Sequence, residues 1–238
     1  MDVEVKKSVG WRVAGTVFAV LVLAAGTLTA ASWLARRTEV QDQVYRRPVR
    51  QVVLDVGTGN VILVPGGPGV AVHRHLSWSW SKPVIHEVWD GGTLRITTRC
   101  PAVSLGPGCG VDYTLRLPVL ASVTSHTSTG DVALRGWHGD LALFTSTGDV
   151  TGTGLFADRV EVHTGTGGID LSFVRPPSWV RAAASTGDVR VAVPAGDRYR
   201  VQTGTGTGSV QVKVAQDGAS PRSIVATTGT GDIHVGYV

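Results

Sequence analysis

Along most of the chain, aliphatic and polar residues alternate with a period of two, the pattern of strands that bury one face. The alternation is organised by a short unit, Thr-Gly-Asp-Val, and its variants. Copies stand at Thr58-Gly59-Asn60-Val61, Thr129-Gly130-Asp131-Val132, Thr147-Gly148-Asp149-Val150, Thr166-Gly167-Gly168-Ile169, Thr186-Gly187-Asp188-Val189, Thr207-Gly208-Ser209-Val210 and Thr230-Gly231-Asp232-Ile233. From the second copy on, their spacing is 18, 19, 20, 21 and 23 residues. A β-branched residue always lies two positions after the glycine. Seven positions before it stand Val52, Val123, Leu141, Val160, Val180, Val201 and Ile224. Two residues beyond each β-branched position come Leu63, Leu134, Gly152, Leu171, Val191, Val212 and Val235.

Each unit therefore predicts a strand, a glycine-centred corner and a second strand. Glycine supplies the bent or positive-φ backbone of the corner. Asn, Asp or Ser beside it can satisfy local backbone groups. One unit is too small to bury a core, but stacked units align their aliphatic columns. The expected fold is all-β: a parallel β-solenoid-like stack of about seven short coils. At about 4.8 Å per coil the rod is roughly 34 Å long, with the threonines facing one another along it. The competing architecture is an antiparallel meander. It is disfavoured because the hairpin order Asp-Gly or Asn-Gly is reversed here.

Residues 64–122 interrupt the repeat. The runs 71–76, 92–97 and 111–117 alternate like strands, separated by turn-rich segments such as Pro65-Gly66-Gly67-Pro68-Gly69. They predict an inserted antiparallel β cap over one end of the stack, where an open edge would invite aggregation.

Before the repeats, residues 13–35 carry no charge and are rich in Ala, Val and Leu, with Trp11 and Trp33 near the two ends. As a helix they reach roughly 34 Å, enough to cross a bilayer. The expected organisation is a cytoplasmic tail over 1–12, a transmembrane helix over 13–35, a juxtamembrane linker over 36–51 and the repeat domain over 52–238. A cleaved signal peptide is the alternative, against which the length of the apolar run argues. Flanking charge does not set the orientation. An extracellular C-terminal domain is favoured by the short leading tail and by the cysteines.

Composition adds constraints. Glycine contributes 31 residues without a three-residue period, which excludes collagen. The net charge of +4 lies wholly in the first fifty residues, because basic and acidic residues balance from Gln51 onward. The repeat domain thus lacks the basic face of a nucleic-acid binder. The two cysteines, Cys100 and Cys109, flank a segment with two prolines and two glycines. A disulfide is expected in an exported domain; two free thiols are the alternative.

Candidate chemistry is sparse. The column Asp131, Asp149, Asp188 and Asp232 could ligate calcium or merely close its own corners; Gly168 and Ser209 interrupt it, which favours the corners. His73 and His75 share a strand face and, with His86, form a weak metal candidate without a matching acidic or cysteine ligand. The run Gly204-Thr205-Gly206-Thr207-Gly208 lacks the helix and lysine of a phosphate loop. No nucleophile elbow is present. No catalytic residue, cofactor or metal is assigned. The best candidate contact surface is Trp78, Trp80 and Trp89, whose indoles either meet a partner or bury beneath the cap.

The Thr-Gly-Asp-Val/Ile repeats, the Cys100-Pro101 to Cys109 loop and the following Tyr113-Thr114-Leu115-Arg116-Leu117-Pro118 together resemble a bacterial family of β-strand-repeat proteins. That family is described as a "putative adhesin" domain of unknown function. The resemblance covers roughly Val52 to Val238. It implies a right-handed β-solenoid-like fold, often behind one membrane helix, and brings no catalytic residues. The arginine-rich, lysine-poor composition fits a high-GC, actinobacterial-like source. The expected function is a non-catalytic, membrane-anchored cell-surface module that contacts a protein or cell-wall polymer. The alternatives are a sensing or regulatory ectodomain of an envelope-stress system and, lower, a polysaccharide-acting enzyme, which would need paired carboxylates in a cleft.

Overall fold

The structure, a computed structural model, describes residues 14–27, 36–101 and 108–238. Residues 14–27 are helical and exposed. The rest of the apolar segment 13–35 lies outside the described residues. No described helix is long and apolar enough to cross a membrane.

All other regular structure among the described residues is β. Strand β1 (Arg37–Tyr45) precedes the first repeat, which supplies β2 (Gln51–Thr58) and β3 (Val61–Gly66). The insertion supplies β4 (Val70–Trp78), β5 (Val84–Asp90), β6 (Thr93–Arg99) and β7 (Gly110–Pro118). The next three repeats give the pairs β8 (Ser122–Thr129) and β9 (Val132–Arg135), β10 (Leu141–Thr147) and β11 (Val150–Leu155), β12 (Arg159–Thr166) and β13 (Ile169–Phe173). The last three give β14 (Trp179–Thr186) and β15 (Val189–Val193), β16 (Arg200–Thr207) and β17 (Val210–Val212), β18 (Ser223–Thr230) and β19 (Ile233–Tyr237).

Each repeat places its first strand in a nine-stranded sheet and its second in a ten-stranded sheet. We call such a strand pair a rung. Neighbouring rungs pair in parallel and in register. Val52, Val123, Leu141, Val160, Val180, Ile224 and Val201 are successive neighbours in one sheet. Val61, Val132, Val150, Ile169, Val189, Ile233 and Val210 are successive neighbours in the other. The repeat threonines line up in the same way, Thr147 between Thr129 and Thr166 for example. Inward side chains from both sheets form one buried cluster. In the third rung, where Gly152 leaves the column empty, a register shift brings in Leu155, whose Cδ1 would lie 3.0 Å from a Cβ at Gly152.

Spatial order departs from chain order at the last two rungs. The nine-stranded sheet runs β16-β18-β14-β12-β10-β8-β2-β6-β5, and the other runs β1-β4-β7-β3-β9-β11-β13-β15-β19-β17. The seventh rung is therefore inserted between the fifth and the sixth. The connections explain how. Segment 194–199 steps past one rung position and segment 213–222 returns by one, while the connection at 156–158, between adjacent rungs, spans only three residues. The 213–222 return is held by Ser220 Oγ on Arg198 O at 2.7 Å and by Arg222 Nε on Asp197 Oδ1 at 3.2 Å.

The insertion extends both sheets at the other end. β7 continues the ten-stranded sheet parallel to β3, and β4 then pairs antiparallel with β7. β6 continues the nine-stranded sheet parallel to β2, and β5 pairs antiparallel with β6. The cap is thus mixed rather than wholly antiparallel. The segment 36–51, expected as a linker, contains β1, which pairs antiparallel with all of β4. Its inward positions are polar and sit over buried charge, so it lacks the aliphatic alternation that marks the repeats.

Candidate interaction surface

The repeat corners form one ridge along the stack. All seven corner glycines, Gly59, Gly130, Gly148, Gly167, Gly187, Gly208 and Gly231, have φ between 137° and 143°. A Cβ at Gly148 would lie 2.1 Å from the carbonyl oxygen of Gly130 in the adjacent rung. The glycine is required twice, by its own dihedral and by close approach of its neighbour.

Beside the glycines runs a ladder of side chain to backbone hydrogen bonds. Oδ1 of Asp112 accepts the N–H of Asn60, and Asn60 Oδ1 accepts that of Asp131. Asp131 accepts from Asp149 at 2.8 Å, Asp149 from Gly168 at 2.7 Å, Asp188 from Asp232 at 2.9 Å and Asp232 from Ser209 at 2.7 Å. The acidic column therefore closes the next rung's corner and not its own. Backbone and hydroxyl donation from Ser209 holds the Asp232 carboxyl below the usual carboxylate range. Gly168 has no side chain to pass the ladder on to Asp188. It leaves a notch of about 480 Å³ lined by Asp149, Asp170, Asp188 and Arg190. Among the described residues no three His, Cys, Asp or Glu side chains converge as metal ligands.

Inside the corners, a second set of threonines is buried. Thr164 Oγ1 donates to Gly148 O at 3.0 Å and Thr228 Oγ1 to Gly187 O at 2.9 Å, each crossing to the adjacent rung. These hydroxyls were missed from sequence; their place three residues before the corner glycine, on the inward parity, is the signal that marks them.

The capped end holds a polar network between the two sheets. Arg74 on β4 is 4% exposed and lies 2.5 Å from Glu87 on β5. Tyr45 donates its hydroxyl to Glu87, and Gln43 accepts from Arg74. Burial, then the Glu87 carboxylate, pushes the Tyr45 hydroxyl up to about 12. Burial raises Tyr113 as well, although its hydroxyl is bonded to Thr98 at 2.6 Å. Arg74 shares inward parity with Val72 and Leu76, which was the available sequence signal for a buried charge.

The three candidate tryptophans do not form one surface. Trp78, at the end of β4, packs against the core with Lys82 Nζ 5.4 Å from its ring centroid. Trp89, on β5 in the other sheet, packs edge-on against Tyr45 with centroids 5.3 Å apart. Trp80, in the turn after β4, is 55% exposed. The ladder between Trp78 and Trp80 ends with the strand, so their expected common face is not made. His73 pairs with Asp42 at 2.6 Å and His75 approaches Asp112 at 3.8 Å, the first exposed and the second half-buried on the ten-stranded sheet, while His86 lies on the other sheet. Cys100 and Cys109 form a disulfide that bridges β6 and β7. The run 204–208 lies in edge strand β16 and its corner.

A shallow groove of about 460 Å³ crosses the outer face of three adjacent rungs. Ile62, Val64, Pro65, Ala133 and Leu134 give it an almost wholly apolar lining. Sequence reasoning passed over it because Ile62, Val64 and Ala133 sit on the parity expected to face water, where Ile62 and Ala133 occupy otherwise polar columns.

No protein-family model matches the chain, and no curated protein matches it. Among solved structures, it is similar to a "putative cell adhesion protein" from Clostridium sporogenes ATCC 15579, with TM-score 0.48 and 15% identity over 84% of this chain and all of that one. A "putative adhesin" from Bacteroides fragilis NCTC 9343 gives 0.47 and 13% over 84% of this chain and 97% of its own. One from Parabacteroides distasonis ATCC 8503 gives 0.38 and 11% over 83% and 97%. These values do not define a family for the chain.

Proposed function

We propose that the chain is a single-pass membrane protein whose repeats form a parallel β-solenoid outside the cell, and that this rod is a non-catalytic, adhesion-type contact module. The observation that carries the reading is the apolar groove around Ile62, Val64, Pro65 and Ala133. Its aliphatic side chains lie on an outward face whose other columns are polar, and they suit a protein segment that presents aliphatic side chains. The uncharged run 13–35 supports the tether, and the disulfide supports an oxidising compartment.

A photo-reactive phenylalanine analogue placed at Ile62 tests the contact. On intact cells that carry the full chain, irradiation is expected to cross-link a partner protein at this position and not at exposed Val174. Equal labelling at both positions, or none at Ile62, overturns the contact surface. Alkaline carbonate extraction tests the tether separately: release of the chain into the soluble fraction overturns it.

A further inference from the structure

We propose that the β16–β17 end of the stack pairs with the same end of a second copy of this chain by antiparallel strand addition. β16 ends one sheet and β17 ends the other, so two strand edges lie side by side at this end. The N–H of Arg200 bonds to Arg222 O, and that of Lys213 to Val235 O, both toward the seventh rung. Because successive residues of a strand alternate sides, the N–H and C=O groups of Val201, Thr203 and Thr205, and of Val210 and Val212, point away from it. The return loop bonds the backbone of the neighbouring Tyr199, through Ala215 and Asp217.

Between its first residue, Arg200, and the end of the three-residue β17, this edge carries neither charge nor proline, two of the devices that keep edges apart. Val201 to Val212 is twelve residues long and contains no charge and no proline. The opposite end is guarded: β1 carries Arg37, Glu39 and Asp42, and β5 carries Glu87 and Asp90. Core columns are also open at the β16–β17 end. Val210 is 43% exposed, whereas its column mates Val150 and Val189 are fully buried. Val201 and Val212 are only partly buried against the core.

A second copy completes both edges at once. A two-fold axis perpendicular to the stack reverses strand direction, setting β16 against β16 and β17 against β17 antiparallel while the aliphatic columns meet. A single extended peptide would fill only one edge. The charged strands at the far end stop head-to-tail growth, so the assembly closes as a dimer. β17 is nine strand spacings, about 43 Å, from β1. With the tether proposed above, this end lies farthest from the bilayer and pairing joins copies on two opposing surfaces. That consequence rests on the tether; the pairing does not.

The full chain in detergent is examined by sedimentation equilibrium and hydrogen exchange. A dimer is expected in which the amides of Val201, Thr203, Thr205, Val210 and Val212 exchange more slowly as concentration rises. Val210→Lys and Thr203→Pro are each expected to shift the mass to monomer, and Val44→Lys on β1 to leave the dimer intact. Exchange in the unaltered chain keeps the test valid where a variant fails to fold. A monomer at every concentration, or a dimer whose edge amides do not slow, overturns the pairing. A dimer that survives both edge variants, as one held by the helix would, also overturns it.

Discussion

At the residue scale, the corner is set by two constraints that sequence shows unequally. A repeated Thr-Gly signals a bent backbone, and the φ values agree in sign. Close approach of the preceding rung's carbonyl is not visible in one repeat, because it depends on which repeat lies alongside. Gly148→Ala combines strained φ with a Cβ 2.1 Å from Gly130 O, and is expected to cost about 3 kcal/mol or more in urea unfolding. Gly218→Ala, with open space around it, is expected to stay within about 0.5 kcal/mol. The aspartate column was legible as local polar closure but not as a bond across rungs. Because the folded pKa of Asp232 is depressed, its contribution is present above the ordinary value near 3.8 and is lost as pH falls through the lower folded value. Exchange of the Ser209 amide is expected to quicken over that acid window in the unaltered chain. Asp232→Asn, which keeps an acceptor without a titrating group, is expected to flatten the pH dependence; an unchanged acid response in that variant would contradict the assignment.

At the element scale, alternation disclosed the strands of the repeats and β4, β6 and β7 of the cap, and hid β1 and β5. β1 turns polar side chains inward onto Arg74 and Glu87, so its pattern lacks the aliphatic half of the signal. The buried pair predicts a specific asymmetry. Arg74→Met strands Glu87 between the sheets and is expected to cost about 3–5 kcal/mol. Arg74→Met with Glu87→Leu is expected to recover most of that loss, since well-packed apolar replacements of a buried ion pair are often neutral or better. Thermal unfolding of both variants and of Glu87→Leu provides the check; a double variant as unstable as Arg74→Met alone would show that the pair itself, not the uncompensated charge, holds the cap.

For the whole molecule, the repeats establish that like columns meet, and the structure pairs them residue for residue. They do not establish which rungs are neighbours, because Thr-Gly-x-Val corners are interchangeable partners. The order is decided by the unlike parts, the 194–199 step and the 213–222 return, whose sequences carry no periodic signal. The central claim, in-register rungs with the seventh between the fifth and sixth, is tested by oxidative cross-linking of paired cysteine substitutions in the exposed threonine column. Neighbouring parallel strands hold Cα atoms about 4.8 Å apart, within disulfide reach, whereas two spacings, about 9.6 Å, lie beyond it. Thr186→Cys with Thr230→Cys is expected to bridge readily, and Thr186→Cys with Thr207→Cys is expected to remain reduced. Efficient bridging of 186 to 207 with none between 186 and 230, read by mass spectrometry of the digested protein, would contradict the architecture.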